Sequence, residues 1–94
     1  MFEYTEAEKE IVLSKYFLNS EHLKLKNFPK KQKQKFLCLL WIKDLFDFDK
    51  TYSEKEVNEI LKEVYLDYVT LRRYMIDFSI LKRTKDGKEY WFSE

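Results

Sequence analysis

The stretch "DYVTLRRYMIDFSILKRTKDGKEYWF", residues 67–92, sets a helical stripe directly against a tight turn, and few small folds accommodate that order. Leu71, Met75 and Phe78 recur at i, i+4 and i+7, the spacing of a helix face that packs on a core. Asp67 stands where an N-cap belongs, so the reading is a helix over residues 67–79. Asp86-Gly87 then predicts a two-residue type I′ turn, which pairs Leu81 with Phe92 and Arg83 with Tyr90 in a hairpin.

Three further helices are legible upstream. "TEAEKEIVLSKYFL" has Thr5 followed three residues later by Glu8, a capping-box pattern, and predicts a helix over residues 5–18. "NSEHLKLKNF" has no helical face and reads as a connector. Pro29 stands where a helix can begin, because its missing N–H is not needed there. The run "KKQKQKFLCLLWIKDLF" is polar at first and then apolar almost all round, which marks a central helix, residues 30–47, covered by neighbours on more than one face. "TYSEKEVNEILKEVY" offers Ser53 and Glu56 as a second capping box, with Tyr52 placed to pack on the first turn, and predicts a helix over residues 53–64. Thr51 and Tyr52 are placed to add a short bridge to a small sheet.

Helix, helix, bridge, helix, helix, hairpin is the element order of a winged helix-turn-helix preceded by an extra N-terminal helix. The fold class expected is mainly α with a small β-hairpin. At 94 residues the chain makes one domain, with residues 1–27 as N-terminal helix and connector and 28–94 as trihelical core plus wing. The short "VYLD" suits the corner of a helix-turn-helix, although it has no glycine. A single cysteine, Cys38, excludes an intrachain disulfide and reads as a small buried hydrophobe. The N-terminus lacks the pattern of a signal peptide and no apolar run is long enough for a membrane helix, so the expectation is a cytoplasmic protein.

Net charge is only +1, but charge is segregated along the chain. Residues 1–21 carry −3, 22–43 carry +7 with seven Lys and no acid, 44–67 carry −5 and 68–94 carry +2. Such a chain can present a basic face to a polyanion.

The segments "FPKKQKQKFLCLLWI", "YSEKEVNEIL", "DYVTLRRYMIDFSILKR" and "DGKEYW" resemble consecutive motifs of the bacterial family called domain of unknown function 2087, over roughly residues 28–92. The resemblance implies a winged-helix-like domain, found alone or joined to helix-turn-helix regulators and acyltransferase-like modules; it implies no particular activity. Ser79 stands where the family commonly has Gly, so the left-handed residue that closes such a helix is less favoured. The N-terminal helix lies outside the similarity.

These features make double-stranded DNA the expected partner. Arg72 and Arg73 occupy the part of the third core helix that meets a groove or phosphates, with Thr70 and Tyr74 as secondary candidates. Against this, two arginines also suit a solvated helix face, and Arg72 could pair with Asp67 or with the preceding helix. Lys82, Arg83, Lys85 and Lys88 make the hairpin basic, as a wing on phosphate would be, though edge strands also carry lysine to discourage aggregation. Lys30, Lys31, Lys33 and Lys35 crowd a helix start, where they oppose the helix dipole; that cost favours an external anion unless Glu54, Glu56, Glu59 and Glu63 neutralise them. Replacing Arg72 and Arg73 together is expected to abolish DNA binding and spare the fold.

Catalysis finds no support: there is no nucleophile with a base and no glycine-rich loop, and Gly87 is the only glycine. A lone His22 and a buried Cys38 make no metal site, so neither a cofactor nor a metal is expected. Tyr90, Trp91 and Phe92 read as packing at the wing root. The function expected is a DNA-binding transcriptional regulator. The alternative is a non-catalytic interaction module, either a homodimer through the N-terminal helix or a partner of another regulator, with no membrane role.

Overall fold

Two helices begin with the same reciprocal hydrogen bonds. In the computed structural model, which describes residues 2–19 and 21–93, Thr5 Oγ1 accepts from the Glu8 N–H at 3.1 Å and the Thr5 N–H donates back to Glu8 Oε1 at 3.0 Å. This opens α1 (Glu6–Tyr16). Ser53 and Glu56 repeat the arrangement at 3.1 and 2.8 Å ahead of α3 (Glu54–Leu61). Each box satisfies two of the N–H groups that a helix start leaves free.

Both glutamates titrate low as a result. Glu8 is held below the ordinary carboxylate range first by the Lys33 ammonium and then by the Thr5 N–H, and Glu56 by the Ser53 N–H and then its hydroxyl. A depressed folded-state pKa contributes stability that is present above the unfolded value and lost as pH falls through the folded one. Thermal stability is therefore expected to decline as pH drops below the usual carboxylate range. A Glu8→Gln, Glu56→Gln variant followed by circular dichroism should show a shallower acid limb.

Between these helices lies α2 (Gln32–Lys43), whose Leu37, Cys38, Leu39 and Ile42 are buried. It is the central helix, with α1 packed on it through Val12 and Tyr16. Trp41 Nε1 donates to the Lys9 carbonyl at 2.8 Å, Tyr16 Oη to Gln34 Oε1 at 2.7 Å, and the Phe2 ring lies tilted against Phe36 with centroids 5.5 Å apart. The N-terminal segment is thereby part of the core.

The chain continues through α4 (Tyr68–Asp77) to strands β1 (Leu81–Arg83) and β2 (Tyr90–Phe92). Asp67 caps α4, accepting from the Thr70 N–H at 3.3 Å. The strands pair antiparallel in the expected register, Leu81 with Phe92 and Arg83 with Tyr90. Tyr52 forms an isolated antiparallel bridge to Tyr90, with hydrogen bonds of 2.7 and 2.8 Å, so the bridge is one residue long and leaves out Thr51. Phe46 lies 4.3 Å from Phe92 and meets Tyr52 edge-on, filling the wing root. Helix α2, bridge, α3, α4, hairpin is a winged helix-turn-helix with α1 added in front.

Three local expectations are corrected. The helix expected over 5–18 ends at Tyr16, because Phe17 turns extended, buries its ring and bridges to Leu25. The helix expected over 30–47 spans only 32–43: Lys31 supplies no side-chain cap, and residues 44–46 tighten into i to i+3 bonds that swing Phe46 toward the hairpin. The turn is not type I′, which needs positive φ at both central residues, since only Gly87 has it, at 71°. Instead the Gly87 N–H bonds the Thr84 carbonyl at 3.0 Å, and the Thr84 N–H bonds Glu89 O at 3.0 Å.

Ser79 adopts the left-handed conformation, φ 61°, that favours glycine. The Ile80 N–H bonds Met75 O at 2.9 Å and the Ser79 N–H bonds Ile76 O at 2.9 Å, which is a complete Schellman closure of α4. Ser79→Gly is expected to raise stability by about 1 kcal/mol, since it removes the left-handed cost and deletes only an exposed hydroxymethyl. Chemical denaturation measures it.

Candidate nucleic-acid interface

Helix α4 divides its side chains among three directions. Leu71 and Met75 point inward and are wholly buried. Val69, Arg73 and Asp77 are exposed at i, i+4 spacing and make the outward stripe. The flanks are already occupied.

On one flank Arg72 reaches α3, where its guanidinium donates to Asn58 Oδ1 and lies 3.6 Å from Glu54 Oε1; its side chain is only 16% exposed. Of the alternatives open for Arg72, the ion pair with the preceding helix is the one formed. On the other flank Tyr74 lies 5.3 Å from Phe28 and accepts from Lys35 Nζ at 2.9 Å, with that ammonium 4.3 Å above its ring. Thr70 Oγ1 donates to Asp67 Oδ2 at 2.7 Å, as part of the cap. The four α4 candidates therefore do not share one face, and Arg73 is the exposed cation among them.

An open groove of about 500 Å³ separates α4 from the hairpin. Arg72, Arg73 and Arg83 line it together with Glu54, Asp77 and Asp86, so its formal charges balance. Tyr90 Oη donates to Glu54 Oε2 at 3.4 Å; burial, then the Glu54 charge, pushes the phenol pKa up. Glu54 thus joins α3, α4 and the hairpin.

The hairpin presents Lys82, Arg83, Lys85 and Lys88 to solvent. Its tip is ordered by side chains: Asp86 Oδ1 accepts from Thr84 Oγ1 at 2.6 Å and from the Lys88 N–H at 3.0 Å. Those bonds, the Thr84 hydroxyl first, hold Asp86 below the usual carboxylate range. The lysines are displayed on a defined loop.

The lysine cluster at the α2 start splits. Lys33 pairs with Glu8 at 2.7 Å and Lys35 is committed to Tyr74, whereas Lys30 and Lys31 are exposed. Among the described residues no ion pair joins this cluster to Glu54, Glu56, Glu59 or Glu63, so neutralisation by that acidic helix is not what the fold uses. Lys15, at the end of α1, joins Lys30 and Lys31 around an open groove of about 350 Å³ that no carboxylate lines. Lys15 belongs to a separate sequence segment, so only the fold reveals this association.

Sequence reasoning also passed over Leu66 and Val69. Leu66 is 92% exposed in the connection between α3 and α4, and Val69 is 36% exposed on the outward stripe. Their one visible signal is that both fall off the inward 71, 75, 78 spacing. Elsewhere, His22 is exposed, and burial pushes the Cys38 thiol up to about 12, too high for a nucleophile near neutrality. Among the described residues no His, Cys, Asp and Glu cluster could hold a metal, and no helix is long and apolar enough to cross a membrane.

A trihelical core with a hairpin bridged to its first strand residue defines a winged helix-turn-helix domain. The family described as "Uncharacterized protein conserved in bacteria (DUF2087)" matches residues 24–92, and the chain belongs to it. Helix α1 precedes the matched region. Comparison with curated proteins and with solved structures finds no match.

Proposed function

We propose that this chain is a DNA-binding winged-helix domain that acts in transcription regulation. The observation that carries the reading is the shared groove: Arg73 on the outward stripe of α4 and Arg83 on the cationic hairpin line it together. In a winged helix the third core helix enters the major groove while the wing contacts phosphate, so these two surfaces serve one duplex. Lys82, Lys85 and Lys88 would add phosphate contacts, and Lys30 and Lys31 a further backbone contact. Arg72 and Tyr74 would position α4, and Thr70 its start. Lys33 is the weakest of the proposed contacts, since Glu8 already neutralises it.

Affinity of this kind is mainly electrostatic and falls steeply with salt. Fluorescence anisotropy of the full chain with a random-sequence duplex, at low and then near-physiological salt, tests it. Binding that weakens steeply supports the proposal; no binding at low salt removes it.

A second, non-catalytic reading is favoured by α1. Its inner face packs on α2, yet Ile11 on the helix and Leu18 just beyond its end remain 61% and 60% exposed. Those exposed side chains suit a homodimer or docking on another regulator. Light scattering at high concentration that finds only monomer would exclude the homodimer.

A further inference from the structure

We propose that Lys15, Lys30 and Lys31 form a clamp for one sugar–phosphate strand of a DNA duplex, on the flank of α4 opposite the wing. The inference rests on the DNA reading above and extends the interface to α1, the helix that precedes the region matched by the family.

Backbone pairing builds the clamp. Phe17 bridges to Leu25, the Lys26 N–H bonds the Tyr16 carbonyl at 2.8 Å, and the Leu18 N–H bonds the Lys24 carbonyl at 2.8 Å. This short ladder holds the end of α1 against the connector that leads to α2, and Lys15 comes to line one open groove of about 350 Å³ with Lys30 and Lys31. No carboxylate lines that groove, and among the described residues none of the three lysines is in an ion pair. Like charges gathered on one surface repel, and an anion between them offsets that cost. The groove wall also has donors to offer. Tyr16 Oη engages Gln34 Oε1 at 2.7 Å, which leaves the amide N–H groups of Gln34 for an acceptor.

Position in the fold selects the anion. Phe28 lines the groove, and its ring centroid lies 5.3 Å from that of Tyr74 on α4. Tyr74 and Arg72 are about 200° apart around the helix, and Arg72 lines the groove shared with the hairpin. Helix α4 therefore has the wing on one flank and the lysine groove beyond the other. A helix about 10–12 Å across, laid in a major groove about 12 Å wide, has a phosphate strand on each side. The wing meets one strand and the lysines the other. Exposed ammoniums gain affinity by releasing the counterions condensed on a polyanion, which a free phosphate ion does not carry. An acidic protein segment offers a single row of charge, whereas two cationic flanks match the two strands of a duplex.

The test is the salt dependence of duplex binding by full-chain variants, read by anisotropy with a random-sequence duplex. Lys15→Gln is expected to reduce the slope of log affinity against log salt by about 0.9, and the triple variant Lys15→Gln, Lys30→Gln, Lys31→Gln by about 2.7. Lys15→Arg keeps the charge and should keep the wild-type slope. Lys24→Gln serves as the control, because Lys24 is an exposed lysine of the same connector that lines a different groove with Glu21, Glu59 and Glu63; its slope should match wild type. All four lysines are exposed, so the variants keep their fold and their melting temperature. A Lys15→Gln variant with the wild-type slope overturns the clamp and leaves the DNA reading standing. So does a loss in Lys24→Gln as large as that in Lys15→Gln, which would make the effect one of net charge alone. Poly-glutamate bound as tightly as the duplex, with the same dependence on Lys15, overturns the duplex as occupant. No duplex binding at low salt overturns both the clamp and the DNA reading.

Discussion

Leu71→Ala is expected to lower the unfolding free energy by about 3 kcal/mol, a large part of the roughly 5–15 kcal/mol that holds a small domain folded. Leu71 is wholly buried on the inward face of α4 beside Met75, in a core that, among the described residues, holds no buried charge and no buried side-chain polar atom without a hydrogen-bond partner. The same chemical change at Leu66, 92% exposed, should alter stability by less than about 0.5 kcal/mol. Urea titrations of the two variants check the pair. A shift in midpoint at constant slope for Leu71→Ala, with Leu66→Ala superimposed on wild type, is the expected pattern. A large cost at Leu66 would mean that the α3–α4 turn is packed differently.

Neutralising the hairpin through Lys82→Gln, Arg83→Gln, Lys85→Gln and Lys88→Gln is expected to weaken duplex binding by about 10²- to 10³-fold at moderate salt. The slope of log affinity against log salt should shrink by about 0.9 for each phosphate that the hairpin no longer neutralises. Arg73→Gln alone should cost about tenfold and leave the melting temperature unchanged, because its side chain is exposed. Arg72→Ala should behave differently. It leaves Glu54 and Asn58 without their partner where α3 meets α4, so stability should fall by about 1–3 kcal/mol. A double arginine variant would mix these effects; the single variants, read by melting and anisotropy in parallel, separate them. If Arg73→Gln and the hairpin variant both retain full affinity and full salt dependence, the duplex is held elsewhere.

The fold was largely legible because its signals are local. Thr5 with Glu8, Ser53 with Glu56, and Asp67 each announce a helix start within four residues, and the 71, 75, 78 spacing sets the inward face of α4. Centring the hairpin on Asp86-Gly87 yields the observed register, Leu81 with Phe92 and Arg83 with Tyr90, although the turn is not type I′. Helix ends were harder. Phe17 and Phe46 are each drawn out of helical geometry by a place in the core that only the assembled fold creates. The candidate site was less legible for the same reason: whether an arginine faces solvent depends on what the next helix offers it. Asn58 and Glu54 lie 14 and 18 residues before Arg72, and nothing local distinguishes Arg72 from Arg73. Tyr74 and Lys35 are likewise joined only in three dimensions.

The single-residue bridge between Tyr52 and Tyr90 has a kinetic consequence. Its two hydrogen bonds close a segment that contains all of α3, α4 and β1. Such a closure must meet its chain entropy before it is rewarded, whereas a capped helix start forms between neighbours. The helices can therefore organise before the wing is fastened. Once fastened, the amides of Tyr52 and Tyr90 bond each other's carbonyls within buried residues, so they open only when the hairpin leaves the α2–α3 connection. In hydrogen exchange they are expected to time the release of the wing, while the amides of the wing tip report only its local fluctuations.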